Sequence, residues 1–131
     1  MQKIAPHPHP KPHDPASRAG IRMVAIDLDG TLLSSRKTIT PKTHTAIRAA
    51  LAAGVKVVLA TARPPRSVRT YYEALKLDTP TINYNGALIW NERHRQVVEH
   101  VPLDAAVAKR IIAWGRKRYP ELLVSVEILD K

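Results

Sequence analysis

Asp27 and Asp29, two residues apart and followed by Gly30 and Thr31, are the side chains of this sequence whose types and spacing best suit chemistry. They come straight after the apolar run Met23-Val24-Ala25-Ile26. A short unbroken apolar run predicts a strand buried on both faces. Unpaired carboxylates are costly to bury, so the pair belongs where that strand ends and opens to solvent. On an extended chain, side chains at i and i+2 lean to the same side. Two acids converging there would offer hard oxygens to a metal such as Mg²⁺. Gly30 lets the backbone turn sharply and come close to a ligand. A calcium loop of the EF-hand kind is excluded, since it needs Gly at its sixth position and Glu at its twelfth, where Leu32 and Thr38 stand.

The elements that would position such a site can be read from the segments that follow. Thr40-Pro41 reads as a helix start, with Thr at the N-cap and Pro in the first turn. Ile47, Ala50 and Leu51 recur at helical spacing, and Gly54 stands where a helix stops. Val55 to Ala60 has the β-branching of a second strand. Strand, helix and strand within about forty residues form a βαβ unit, and its two strands should run parallel. Thr61 would then emerge at the same sheet edge as Asp27, and such carboxyl edges are where open α/β sheets bind ligands. Its hydroxyl and the following amides could hold a phosphate oxygen, or Thr61 could simply cap the helix that Pro64 or Pro65 begins. That helix N-terminus would itself attract an anion. Arg63 reads equally as an anion contact or as a surface charge.

Val68, Tyr71, Tyr72 and Leu75 give the second helix an apolar stripe suited to a core. A third strand is expected over 79–84, leading into Asn85-Gly86-Ala87, which read locally is a tight turn. Ala87 to Trp90 and Gln96 to Glu99 read as an antiparallel pair. From Asp104, a good N-cap, a helix should run to about Arg118 with Val107, Ile111 and Trp114 on one face. Its basic residues, Lys109, Arg110, Arg116, Lys117 and Arg118, lie largely opposite, as a solvated face would. Leu122 to Leu129 reads as a further strand. The first 20 residues alternate proline with histidine, as in Pro6-His7-Pro8-His9-Pro10, and are expected to stay outside the fold.

Asp27-Leu28-Asp29-Gly30-Thr31-Leu32, then Thr61, then Asn85-Gly86-Ala87 resemble, in order and spacing, the motifs of the haloacid dehalogenase superfamily and its Cof-type phosphatases. The resemblance runs over about residues 21 to 131. It implies a Rossmann-like α/β core with a parallel sheet over residues 21–102 and the start of an inserted α/β cap over 103–131. It also implies a Mg²⁺-dependent phosphomonoester hydrolase working through an aspartyl phosphate, on a sugar phosphate or similar small phosphorylated metabolite. By the same resemblance Asp27 would be the nucleophile and Asp29 the general acid and base. Asp27 and Asp29, the latter through its backbone carbonyl, would hold the metal. Gly30, Thr61, Ala62, Arg63, Asn85 and Gly86 would contact phosphate or substrate. Ala62 stands where the Cof-type pattern usually has glycine.

Two further elements of that family normally follow the cap: a lysine and an acidic Gly-Asp-x-x-x-Asp type segment. After Leu129 only Asp130 and Lys131 remain, and earlier lysines such as Lys56 lack the right context. The sequence therefore reads as the N-terminal half of a longer hydrolase, weakly active or inactive alone. An unfinished sheet or cap would invite self-association.

Composition bounds these readings. A chain of 131 residues with 44% hydrophobic residues can bury one core, and with aromatics at 5% the packing falls to aliphatic side chains. No run reaches membrane-spanning length, no signal peptide is legible, and cysteine is absent. A cytoplasmic protein with no membrane partner is the expectation. The net charge of +10 fits a solvated basic surface or attraction for phosphate. Its scattered distribution, without interleaved aromatics, argues against nucleic acid. Two alternatives stay open: a non-catalytic basic fragment binding an anionic partner, and a phosphomutase-type transferase.

Overall fold

A computed structural model describes residues 20–129. The expected Pro/His-rich tail lies outside the described residues, apart from Gly20. The elements run in the order β1 (Met23–Ile26), α1 (Pro41–Ala52), β2 (Lys56–Leu59), α2 (Pro65–Leu75), β3 (Thr81–Asn83), β4 (Leu88–Asn91), β5 (Gln96–His100) and α3 (Ala105–Arg118). A 3₁₀ turn, Tyr84–Gly86, joins β3 to β4.

Local signals set the helix ends. The Thr40 hydroxyl accepts from the Thr43 amide at 3.2 Å, and Pro41 occupies the first helical position, where its missing N–H costs nothing. Gly54 follows the end of α1 with φ of 83°, a left-handed conformation that glycine adopts without steric penalty. Asp104 caps α3 by accepting from the amides of Ala106 and Val107 at 2.8 and 3.1 Å.

β1 and β2 pair in parallel, from Met23 opposite Lys56 to Ile26 opposite Leu59. This is the register a βαβ unit requires, and it sends both chain ends to one edge. β3 meets the end of β2 through a parallel bridge between Ala60 and Ile82, then pairs antiparallel with β4. β4 and β5 are antiparallel, with a bulge beside Ile89 and Trp90. The core collects Leu28, Leu32, Leu33, Ile47, Val57, Leu59, Val68, Tyr72, Leu75 and Leu77. Three of these leucines lie in the loop after β1, so the loop that carries Asp27 and Asp29 is anchored by apolar burial. Among the polar residues, Glu92 is buried, paired with Arg69 and accepting from the Trp90 indole.

Three expectations are corrected. β1 is not buried on both faces: Val24 and Ile26 are partly covered, whereas Met23 and Ala25 are exposed. Among the described residues it pairs with β2 alone, so one edge and one face stay open. The strand also stops at Ile26, before the aspartates, so their side chains do not share the alternation of an extended chain. Residues 122–128 form no strand, because no described strand lies alongside to complete their hydrogen bonds. The apolar face of α3 is likewise open, with Val107, Ile111 and Trp114 all exposed.

Candidate active site

Past Ile26 the chain folds into a tight turn in which the Leu32 and Leu33 amides donate to the carbonyls of Asp27 and Leu28, at 3.1 and 2.9 Å. Leu28 is fully buried, while Asp27 and Asp29 on either side of it are exposed. Gly30 carries the reversal with φ of 80°. The turn separates the two acids. Asp27 faces a cavity of about 320 Å³ that it shares with Ala60, Thr61, Ala62, Ile82, Asn85 and Gly86. Asp29 points elsewhere, into a cluster of cations.

Thr61 reaches the cavity because β2 ends beside β1, and its amide donates to the Ile82 carbonyl at 2.9 Å. Its hydroxyl accepts from the Arg63 amide at 3.2 Å. That bond uses an oxygen lone pair and leaves the hydroxyl proton available to a ligand. Opposite, Tyr84 and Asn85 both have positive φ, of 50° and 56°, and Gly86 follows at 96°. Non-glycine residues hold such conformations only where surrounding bonds impose them. Here the Asn85 amide donates to the Thr61 carbonyl at 3.2 Å, tying one wall of the cavity to the other.

Asp29 is gripped by two cations. The Arg63 guanidinium donates through Nε and Nη2 to the two carboxylate oxygens at 2.7 and 2.8 Å, and Lys37 Nζ donates at 2.6 Å. The Arg63 hydrogen bonds, followed by those of Lys37, hold the Asp29 carboxyl well below the usual carboxylate range; the same pair raises the Arg63 guanidinium. Arg63 lies over the Tyr71 ring at 5.5 Å, and the Tyr71 hydroxyl donates to the Lys37 carbonyl at 3.1 Å. Arg63 thus faces a carboxylate rather than the cavity.

Of the residues expected to form the site, Asp27, Thr61, Ala62, Asn85 and Gly86 line one cavity. Asp29, Gly30 and Arg63 stand outside that lining. Two participants had no signal in the sequence. Lys37 belongs to a polar loop in which nothing marks it, or Arg36 beside it, as a site residue. Asn83, fully buried, donates to the Arg63 carbonyl at 3.0 Å and reads in sequence as an ordinary strand residue.

Toward the cavity, the carboxylate that a metal could meet is that of Asp27. No group of three or more His, Cys, Asp or Glu among the described residues is placed to hold an ion. The fit is of the open kind that Mg²⁺ takes, with one or two protein oxygens and the remaining positions left to water and substrate phosphate.

Comparison with known proteins places these features in a family. Residues 24–130 match the family model of haloacid dehalogenase-like hydrolases. The chain is 36% identical over 106 residues to the pyridoxal phosphate phosphatase YbhA of Escherichia coli, covering 81% of this chain and 39% of that protein. It is 37% identical over 115 residues to the 5-amino-6-(5-phospho-D-ribitylamino)uracil phosphatase YitU of Bacillus subtilis, covering 82% and 40%. A haloacid dehalogenase-like hydrolase from B. subtilis superposes with a TM-score of 0.66 at 33% identity, over 75% of this chain and 34% of that one. The chain therefore spans about two fifths or less of the length of these relatives.

Proposed function

The chain belongs to the haloacid dehalogenase-like hydrolase family, and from that premise we propose that it carries the nucleophile half of a Mg²⁺-dependent phosphomonoesterase. The observation that carries this reading is the convergence of Asp27, Thr61 and Asn85-Gly86, from three separate segments, on one small cavity.

In this reading the ester phosphate enters the cavity and Asp27 attacks the phosphorus. The bond from phosphorus to the ester oxygen breaks as an acyl phosphate forms on Asp27. Thr61 donates its hydroxyl proton to a phosphoryl oxygen, and the backbone at Gly86, on the same cavity, would help orient the group. Asp29, which as found points away from the cavity toward Arg63 and Lys37, would turn toward it to protonate the leaving oxygen, then take a proton from the water that cleaves the acyl phosphate and returns Asp27 to its carboxylate. As found, Asp29 is held ionised by Arg63 and Lys37, the state that second step needs. Protonating the leaving oxygen needs the other state, so the incoming phosphate dianion would draw a cation away from Asp29, whose carboxylate then takes up a proton from solvent before giving it to the leaving oxygen. Mg²⁺, held by Asp27 and the Asp29 carbonyl, would supply charge neutralisation for the phosphoryl oxygens.

The substrate class is a small phosphorylated metabolite. Both curated relatives are named for phosphomonoesters that join a phosphate to a compact organic body, which supports that class. Residues 103–131 would open a cap over the site, and the ion pair between Arg66 on α2 and Glu127, at 2.6 Å, already joins the two regions.

The test is hydrolysis of p-nitrophenyl phosphate, with and without Mg²⁺, by a longer version that also carries the lysine and acidic segment expected after the cap, using Asp27→Asn as the decisive variant. Activity should fall roughly 10³-fold or more, since a near-isosteric amide cannot form the acyl phosphate. Because Asp27 is exposed, the fold should be retained. Undiminished turnover in the variant would remove Asp27 from the chemistry.

A further inference from the structure

Asn83 is not among the residues that line the cavity, yet its side-chain amide binds the loop that follows Thr61, and its chain neighbours Ile82 and Asn85 bind Thr61 itself. Asn83 ends β3 and is fully buried, as is Thr81 two residues earlier at 1% exposure. The Thr81 hydroxyl donates to Asn83 Oδ1 at 2.8 Å, which orients the amide. Its Nδ2 then donates to the Arg63 carbonyl at 3.0 Å. The residues flanking Asn83 bind the same loop through their backbone: the Ile82 carbonyl accepts from Thr61 N–H at 2.9 Å, and Asn85 N–H donates to the Thr61 carbonyl at 3.2 Å.

We propose that Asn83 is a positioning residue that fixes the 61–63 loop against the 84–86 turn, holding the Thr61 hydroxyl and the following amides in place for a phosphoryl group. The phosphoryl part of this assignment rests on the phosphatase reading above; the positioning part rests on the geometry alone. Asparagine suits the position because it must accept from one side and donate to the other. A carboxylate accepts only, and would set its oxygen against the Arg63 carbonyl. Asn83 itself is fully buried, so its side chain has few other partners once this bond is lost, and the loop would be free to shift. The Tyr84 and Asn85 left-handed turn begins at the very next residue, so the anchor also bears on the strained wall.

The experiment compares Asn83→Asp with two other variants by amide hydrogen exchange and by titration with inorganic phosphate in Mg²⁺, following the amide signals of Thr61 to Arg63 and of Gly86. Thr81→Val removes the hydroxyl that orients Asn83 while leaving Asn83 itself. Thr79→Val is the control, because the buried Thr79 hydroxyl donates to the Val57 carbonyl, away from the cavity. Asn83→Asp should speed exchange at the Arg63 and Asn85 amides and weaken phosphate binding about tenfold, the worth of one such hydrogen bond. Thr81→Val should do both to a smaller degree, and Thr79→Val should lower stability without either effect. Should Asn83→Asp and Thr79→Val behave alike at those amides, the assignment of Asn83 fails. A wild-type chain whose Thr61 to Arg63 signals ignore phosphate would overturn the phosphatase reading, and the exchange comparison would still decide the role of Asn83.

Discussion

The Arg63 guanidinium meets both carboxylate oxygens of Asp29, at 2.7 and 2.8 Å, from 34 residues further along the chain. That fork ties the loop after β1 to the loop after β2. A bidentate pair of this kind fixes orientation as well as charge, because both donors of the fork must be aligned at once. Its second partner, Lys37, is a point charge on an exposed loop and fixes much less.

Replacing Arg63 by Lys keeps the charge and discards the fork. Phosphate ester hydrolysis should fall about tenfold, as Asp29 loses its fixed orientation. Stability should change little, since the Asp29 side chain is 40% exposed and surface pairs are screened. Paired kinetic and urea-unfolding measurements check the split; a large stability loss with unchanged activity would contradict it.

Leu28 lies between the two aspartates and is fully buried. Leu28→Ala should cost about 3 kcal/mol, the sum of lost transfer energy and the cavity left behind. The loop that carries Asp27 depends on that anchor, so phosphate binding should weaken as well. Chemical denaturation measures the first effect and phosphate titration the second.

Gly86 has φ of 96°, and a Cβ built there would meet nothing within 4 Å. Gly86→Ala should therefore act through backbone conformation alone, destabilising by about 1–2 kcal/mol. A shift in the urea midpoint with no new contact in the variant structure is the expected result.

Acid should weaken the fold partly through Asp29. Its folded-state pKa is depressed by Arg63 and Lys37, so its contribution to stability is fully present above the ordinary carboxylate value of about 4. It is lost progressively as pH falls from there toward the lower folded-state value. Asp78, depressed by Lys56, acts in the same direction. Unfolding of the wild type and of Asp29→Asn should therefore differ more at pH 7 than at pH 3. An equal difference at both would refute this contribution.

What could be read from the sequence alone was whatever depends on neighbours a few residues away. The caps at Thr40 and Asp104, the stop at Gly54 and the buried stripe of α2 are of this kind, because one turn of chain settles each. The motif around Asp27, with Thr61 and Asn85-Gly86, was legible because their residue types and order are distinctive. Tertiary structure decided the rest. The strand after α3 needed a neighbour to pair with, and β1 needed cover on its second face; neither requirement is written in local pattern. The turn after Ile26 sent Asp27 into the cavity and Asp29 toward Arg63, where strand alternation alone would have kept them together. Lys37 and Asn83 acquire their roles only because parallel pairing of β1 and β2, and the bridge from Ala60 to Ile82, bring distant loops within hydrogen-bonding distance. Register between strands is a long-range property, and it is register that places a side chain opposite its partner.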